Sequence, residues 1–398
     1  MITESTNNHI PQLRFPEFQN DGEWEAKRLG EIITVNSGRD YKHLNQGDIP
    51  VYGTGGYMLS VDDKLSDIDA IGIGRKGTID KPQFLKAPFW TVDTLFFLTT
   101  KDGYDLNFVF FLFQTIEWKK YSEQTGVPSL TRNSIEKIEV KVPPLAEQRR
   151  IAACLSALDE VLAATNEKLE QLKAYKKGMM QKLFPAKGKK LPELRFKEFE
   201  KDGEWVVCSL ETIFEIKNGY TPSKANPKFW EKGTLPWFRM EDIRLNGHIL
   251  SDSIQHITPE AVKGSGLFPA YSIIVATTAT IGEHALLIVD SLANQRFTFL
   301  TKCKSFDEKL DMMYFHYYMF IVDEWCKCNT NSGGLLSLNM PAFKKLRIPY
   351  PSNVDEQRKI ADSFTSIDEM IKQYTNKVTF LELYKKGMMQ QMFPTSNN

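Results

Sequence analysis

The sequence carries no net charge, because 50 Lys and Arg are balanced by 50 Asp and Glu. Bulk electrostatics therefore gives no argument for nucleic acid or a membrane surface, and any polyanion-binding face must be a local basic patch offset by acidic regions elsewhere. Cysteine is sparse: Cys154, Cys208, Cys303, Cys326 and Cys328 are odd in number and scattered. Cys326-x-Cys328 lacks a second pair at zinc spacing, so reduced thiols are expected rather than a disulfide framework or a zinc module. Long apolar runs are missing too. The run FVFFLF at 108–113 is far short of the roughly 20 residues that span a bilayer. The polar start MITESTNNH has no apolar stretch behind it, which argues against a signal peptide. A soluble cytoplasmic protein with no membrane segment is expected. Its 398 residues suffice for two or three domains with their own cores.

Catalytic signatures are also missing. GIGRKG at 72–77 is formally GxGxxG, but Pro82 and a strand-like stretch follow where a dinucleotide-binding helix should begin. Thr78 stands where a P-loop needs lysine. VPPL at 142–145 has the prolines of an adenine-methylating motif but neither flank, and DEK at 307–309 has nuclease spacing without a preceding acidic partner. No triad, HExxH or carboxylate pair can be assembled, so the chain is not expected to be an enzyme by itself, and no metal ligands are assigned.

What the sequence has instead is repetition. PQLRFPEFQNDGEW at 11–24 and PELRFKEFEKDGEW at 192–205 are identical at 10 of 14 positions, with an offset of 181. Residues 143–185 align without a gap to 352–394, with 18 identities in 43 positions and an offset of 209. The offsets differ by 28 residues, so length varies only between the blocks. Just the end of the middle aligns visibly, where Gly126, Ser129, Leu130 and Lys137 match Gly334, Ser337, Leu338 and Lys345. Each half has a constant opening, a variable body and a constant close.

The closing block reads as a helix with a heptad seam: Ile151, Leu155, Leu158, Leu162, Leu169, Leu172, Met179 and Leu183. Adding 209 gives Ile360, Phe364, Ile367, Ile371, Val378, Leu381, Met388 and Met392, all apolar. Thr165 and Lys176 interrupt the first seam, and Tyr374 and Lys385 hold the matching positions in the second. Pro143 and Pro144 suit a helix start, and Phe184-Pro185 a stop. The seam would be about 50 Å long at 1.5 Å per residue. The first helix ends where the second variable body begins and the second starts where that body ends, which predicts an antiparallel pair and a pseudo-twofold internal repeat. A helix that merely packs on its own domain is the alternative.

The bodies are rich in short β-branched runs broken by glycine, with helices expected over 107–121 and 311–325. The expected class is α+β: two mixed α/β domains separated by two long antiparallel coiled-coil helices. The divisions are 1–142, 143–185, 186–351 and 352–398. Side chains suited to base edges and phosphates cluster after the turns. In the first body these are Arg39, Tyr41, Lys42, Tyr52, Arg75, Lys76 and Ser129. In the second they are Tyr220, Thr221, Ser223, Lys224, Arg239, Thr277, Thr278, Thr280, Arg296, Asn331 and Ser332. Ordinary solvated loops account for such residues equally well, and GIGRKG reads either as a phosphate-facing turn or as a surface hairpin.

PPLAEQRRIA and DEQRKIA opening the helices, KKGMMQKLFP and KKGMMQQMFP closing them, and loop phrases such as NSGRDY, NGYTPS and ANQRF complete the pattern. Over essentially its whole length the chain resembles the specificity subunit of type I restriction-modification systems. The resemblance implies that each body is a target recognition domain reading one half of a bipartite, asymmetric DNA target, and that the helices fix the gap. It implies double-stranded DNA, two methyltransferase subunits and, through the complex, restriction subunits as partners. S-adenosylmethionine, ATP and Mg are then expected on those partners and no cofactor on this chain. A single-chain methyltransferase or nuclease and a protein-binding coiled-coil scaffold are the rival readings.

Overall fold

The closing blocks form the two longest elements, helices of 39 residues each that start after the prolines or Asn353 and stop before Phe-Pro. In the computed structural model, which describes residues 10–123, 126–264, 266–331 and 336–394, both helices contribute to two compact units. The first unit comprises the chain up to Lys168 together with Tyr374 onwards; the second is Leu169–Gln373.

The first unit contains β1 (Glu25–Arg28), α1 (Leu29–Ile32), β2 (Ile33–Ser37), β3 (Gln46–Gly53), β4 (Gly56–Val61), β5 (Ala70–Gly74), β6 (Gln83–Leu85), β7 (Trp90–Thr91), β8 (Leu95–Thr100), α2 (Leu106–Thr115), α3 (Arg132–Glu136), β9 (Glu139–Val142) and the start of α4 (Leu145–Leu183). Its sheets run β2-β8-β5-β6, β4-β3-β7 and β1-β9. The expected helix over 107–121 is shorter than its sequence pattern. It ends at Thr115, and the indole of Trp118 folds back to donate to Phe113 O (2.9 Å) from a separate 3-10 turn at Trp118–Tyr121.

The second unit contains the rest of α4, then β10 (Val206–Ser209), α5 (Leu210–Ile213), β11 (Phe214–Asn218), β12 (Leu235–Phe238), α6 (Met240–Asn246), β13 (Ile249–Leu250), β14 (His256–Ile257), β15 (Ser272–Ala276), β16 (His284–Leu287), β17 (Leu292–Ala293), β18 (Phe297–Lys302), α7 (Met312–Cys328), β19 (Thr330–Asn331), β20 (Ser337–Leu338), α8 (Met340–Lys344), β21 (Arg347–Tyr350) and the start of α9 (Val354–Met392). The expected helix at 311–325 is α7, capped by the Asp311 side chain, and runs on to Cys328. Sheets β11-β18-β15-β16-β13, β14-β12-β17 and β10-β21 repeat the order of the first unit, with β13 added on one edge and the separate pair β19-β20. Bodies with little visible sequence similarity thus share one topology.

Antiparallel pairing of the helices appears in each unit. In the first, Lys385 Nζ on α9 meets Asp159 Oδ1 on α4 at 2.5 Å; in the second, Lys176 Nζ on α4 meets Asp368 Oδ1 on α9 at 2.6 Å. Within the second unit, advancing from Lys176 on α4 to Phe184 just past its end retreats along α9 from Asp368 to Phe364, on which Phe184 stacks, as antiparallel pairing requires. None of the sixteen seam residues is exposed. Seam burial is not all helix against helix, however. Ile151, Leu155 and Met392 enter the core of the first unit, and Leu183, Ile360, Phe364 and Ile367 that of the second. Met388 is only half-buried while its neighbour Met389 is buried.

The repeated opening block is explained by a buried lock. Arg14 grips Glu147 with two hydrogen bonds (Nε to Oε1 2.8 Å, NH2 to Oε2 2.7 Å), and the Trp24 indole donates to the same carboxylate at 3.3 Å. Arg195, Glu356 and Trp205 repeat the geometry at 2.8, 2.7 and 3.3 Å. The next residue of each EQR, Gln148 or Gln357, accepts from the backbone N–H of Asp105 or Asp311 and thereby seats α2 or α7. Phe393 packs edge-on against Trp24, and Phe184 stacks on Phe364. The duplicated tail KKGMMQ-x-x-FP is therefore an anchor in each core.

Candidate nucleic-acid interface

A backbone frame gathers the residues of the first body. Gly38 N donates to Leu95 O (3.2 Å), Arg39 N to Thr91 O (2.9 Å), Val92 N to Tyr52 O (3.0 Å) and Arg75 N to Thr94 O (2.8 Å). Lys76 pairs with Ser129 as an isolated bridge, and Leu130 N donates to Arg75 O at 2.9 Å. GIGRKG is thus the end of β5 and the exposed start of the β5–β6 hairpin turn, tied to residues 128–130. The segment at 91–95 brings the loops of Arg39, Tyr52 and Arg75 together. Arg39, Lys42, Arg75 and Lys76 are exposed; Tyr41, Tyr52 and Ser129 are half-buried. Asp40 and Asp93 stand among them, acceptors suited to a base amine rather than a phosphate.

The second body repeats the frame with other side chains. Gly219 N donates to Phe297 O, Thr277 N to Arg296 O and Leu338 N to Thr277 O, each at 2.9 Å, and Thr278 bridges Ser337. Arg75 and Lys76 correspond to Thr277 and Thr278, and Arg39 to Tyr220. An indole holds the carbonyl at that last position in both units, from neighbouring strands: Trp90 Nε1 to Arg39 O (2.9 Å) and Trp237 Nε1 to Tyr220 O (3.0 Å). Gly38 and Gly219 are required by close approach, since a Cβ would overlap Val92 O or Ala293 O.

Several hydroxyls of the second body are committed internally. Tyr220 donates to Ala261 O (3.2 Å) and accepts from Lys263 N (2.6 Å); Thr221 donates to Gln295; Thr277 donates to Arg296 O (3.0 Å); Thr280 donates to Met240 Sδ (3.5 Å). Arg239 precedes α6, half-buried, its guanidinium 6.0 Å from the Trp237 ring centroid. Ser223, Lys224, Arg296 and Asn331 are exposed, Thr278 is half-buried, and Ser332 lies outside the described residues.

Sequence reasoning missed Tyr57 and Met58 on the β3–β4 hairpin, 63% and 50% exposed beside Tyr41 and Lys42. The GTGGYM phrase was the available signal, an aromatic just after a glycine turn. Between the frame positions Gly38/Gly219 and Ile73/Val275 the offset rises from 181 to 202, so 21 of the 28 extra residues lie there. They replace the tight hairpin by α6 and β13, and Leu245 at the end of α6 is 74% exposed.

A buried histidine cluster supports the second unit. His284 Nδ1 lies 3.0 Å from both Asp323 oxygens, and His248 Nδ1 2.7 Å from His284 O. Burial pushes His316 well below its ordinary value of 6.5, helped by His284, His248 and Lys176, while burial lowers His248 and raises Asp323. Histidines depressed in the fold stay neutral while the unfolded chain takes up protons, so their stabilisation is complete above pH 6.5 and lost below it. The expected slope is up to about 1.4 kcal/mol per pH unit per histidine. Denaturant midpoints between pH 7.5 and 5 would read it, and His316→Leu should flatten it.

Two helices joined to two bodies of one topology, each with the same backbone frame, define a duplicated α+β protein that presents two unlike polar faces. The family model described as "Type I restriction modification DNA specificity domain" matches residues 21–174 and again 202–379. The chain belongs to that family. It is 46% identical over 174 residues to the type I restriction enzyme EcoprrI specificity subunit of Escherichia coli, covering 43% of each chain. It is 26% identical over 290 residues to the MjaVIII specificity subunit of Methanocaldococcus jannaschii, covering 68% of this chain and 65% of that one. The aligned regions thus span less than two thirds of these relatives. The fold matches the crystal structure of a type I restriction-modification S subunit from M. genitalium (TM-score 0.65, 14% identity, 98% of this chain and 100% of that one). A second match comes from a structure described for complex assembly and conformational transition of the type I R-M system (TM-score 0.56, 15% identity, 94% and 98%). Among the described residues no helix is long and apolar enough to cross a membrane.

Proposed function

We propose that the chain is the DNA-specificity subunit of a type I restriction-modification complex, each body reading one half of a bipartite, asymmetric target. One observation carries this: the same backbone frame recurs in both units, with the cationic Arg39, Arg75 and Lys76 in the first and the uncharged Tyr220, Thr277 and Thr278 at the matching positions in the second. Unlike side chains on like frames suit unlike half-sites, and the helices set the gap between them. At about 1.5 Å per residue a 39-residue helix is longer than one turn of DNA, about 34 Å, so half-sites more than a turn apart are within reach. The chain itself performs no catalysis and binds no cofactor. Two methyltransferase subunits supply S-adenosylmethionine-dependent adenine methylation, and restriction subunits add the ATP- and Mg-dependent endonuclease. Phe380, Leu383 and Tyr384, exposed at i, i+3 and i+4 on α9 with Tyr384 stacked on Phe380 (6.0 Å), offer an apolar strip for a subunit.

The purified chain with S-adenosylmethionine and DNA should transfer no methyl groups; adding a methyltransferase subunit should produce methylation confined to one bipartite motif. Methylation by the chain alone would establish the single-chain enzyme, and no sequence preference with the partner present would establish the protein-binding scaffold.

A further inference from the structure

Lys176 and Lys385 are the charged residues among the seam's interruptions, and each ties its own helix to two other elements. On α4, Lys176 bonds both oxygens of Asp368 on α9 (2.6 and 2.8 Å), and its ammonium lies 5.3 Å from the ring of Tyr317 and 5.0 Å from that of Phe320, both on α7. Tyr317 also donates its hydroxyl to Asp368 Oδ2 at 3.0 Å. On α9, Lys385 pairs with Asp159 on α4 and lies 5.2 Å from the ring of Phe111 on α2. Asp105 and Asp311 cap α2 and α7 at equivalent points, and the offset between them, 206, is also that between Phe111 and Tyr317. The two joints are therefore the same joint. Even their exposure agrees, with the lysines at 17% and 16% and their aspartates at 39% and 35%.

An exposed lysine pair on a helix contributes little, but these ammonium groups are largely removed from water and touch both seam helices and the recognition body. A leucine at the position would fill the seam without choosing a register; a lysine with one carboxylate opposite chooses it. The ring beneath the ammonium then ties that register to the helix that seats the body.

We propose that Lys176 and Lys385 are positioning residues that fix each recognition body on its helix pair, and through this the gap between half-sites that the complex accepts. This inference rests on the proposed DNA-reading function. It assigns the duplicated YKKGMMQ a role in spacing, with Lys177 and Lys386, both exposed, outside the joint.

The test is methylation by the assembled complex on duplexes carrying the two half-sites at the native gap and at gaps one base pair shorter or longer. A displacement of one step, about 3.4 Å, should cost the wild type on the order of 100-fold, because ångström misplacement has effects of that size. In Lys176→Met/Lys385→Met the penalty should shrink to within about tenfold, with base preference inside each half-site unchanged. Lys177→Met/Lys386→Met should behave as wild type. Should the methionine variant fail to assemble, Asp159→Asn/Asp368→Asn removes the same ion pairs at constant volume and must relax the gap likewise. A full gap penalty in assembled variants overturns the joint. Absence of any bipartite site for the wild-type complex instead sinks the DNA-reading function, and this inference with it.

Discussion

Glu356→Ala should destabilise the second unit by about 3–5 kcal/mol, the size expected when one partner of a buried ion pair is removed. Arg195 would be left 10% exposed with no carboxylate, still held by Gly203 O at 2.7 Å, and the Trp205 indole would lose its acceptor. Glu147→Ala should do the same to the first unit, where Arg14 is 5% exposed. Urea titrations of each variant would show the midpoint shift. Replacing both charges, as in Arg195→Met/Glu356→Met, should recover most of the loss, because apolar pairs of similar volume substitute well for buried salt bridges. A single-variant loss under about 1 kcal/mol, the range of exposed pairs, would mean that the lock is not what joins the opening block to the helix.

Gly38→Ala or Gly219→Ala should lower methylation of the bipartite target by about 100-fold or more while leaving the helix cores intact. The added Cβ would overlap Val92 O or Ala293 O, and those segments cannot retreat easily. Val92 N bonds Tyr52 O and its carbonyl accepts from Leu95 N; the strand carrying Ala293 pairs with β12. The loop must lift instead, carrying Arg39 and Lys42, or Lys224, away from the surface they present. Because both half-sites are needed, either single change suffices. Rates on the cognate duplex within about threefold of wild type, with an unchanged melting transition, would show that these loops are not part of the recognition surface.

The constant blocks were legible because both copies answer to the same constraints: a seam position must be apolar twice, and a helix stop must be Phe-Pro twice. Their partners were harder to read. Arg14 lies 133 residues from Glu147, and an arginine between leucine and phenylalanine looks like a surface residue until the carboxylate is found. The kinship of the bodies was nearly invisible, since their common frame is made of backbone hydrogen bonds that accept any side chain and tolerate 21 extra residues between two fixed points. Tyr220 and Thr277 show why composition alone misjudges a binding face: their hydroxyls are spent on Ala261, Lys263 and Arg296. Tyr57 and Met58 show the converse, apolar side chains left in solvent by a tight glycine turn.

The most direct measurement is a map of methylated adenines in host DNA with this protein present and with its gene deleted. The account predicts one asymmetric bipartite motif with a fixed gap, lost in the deletion and restored with a widened gap tolerance by Lys176→Met/Lys385→Met. An unchanged methylation pattern, or a lost motif that is contiguous or made of two identical halves, would contradict it.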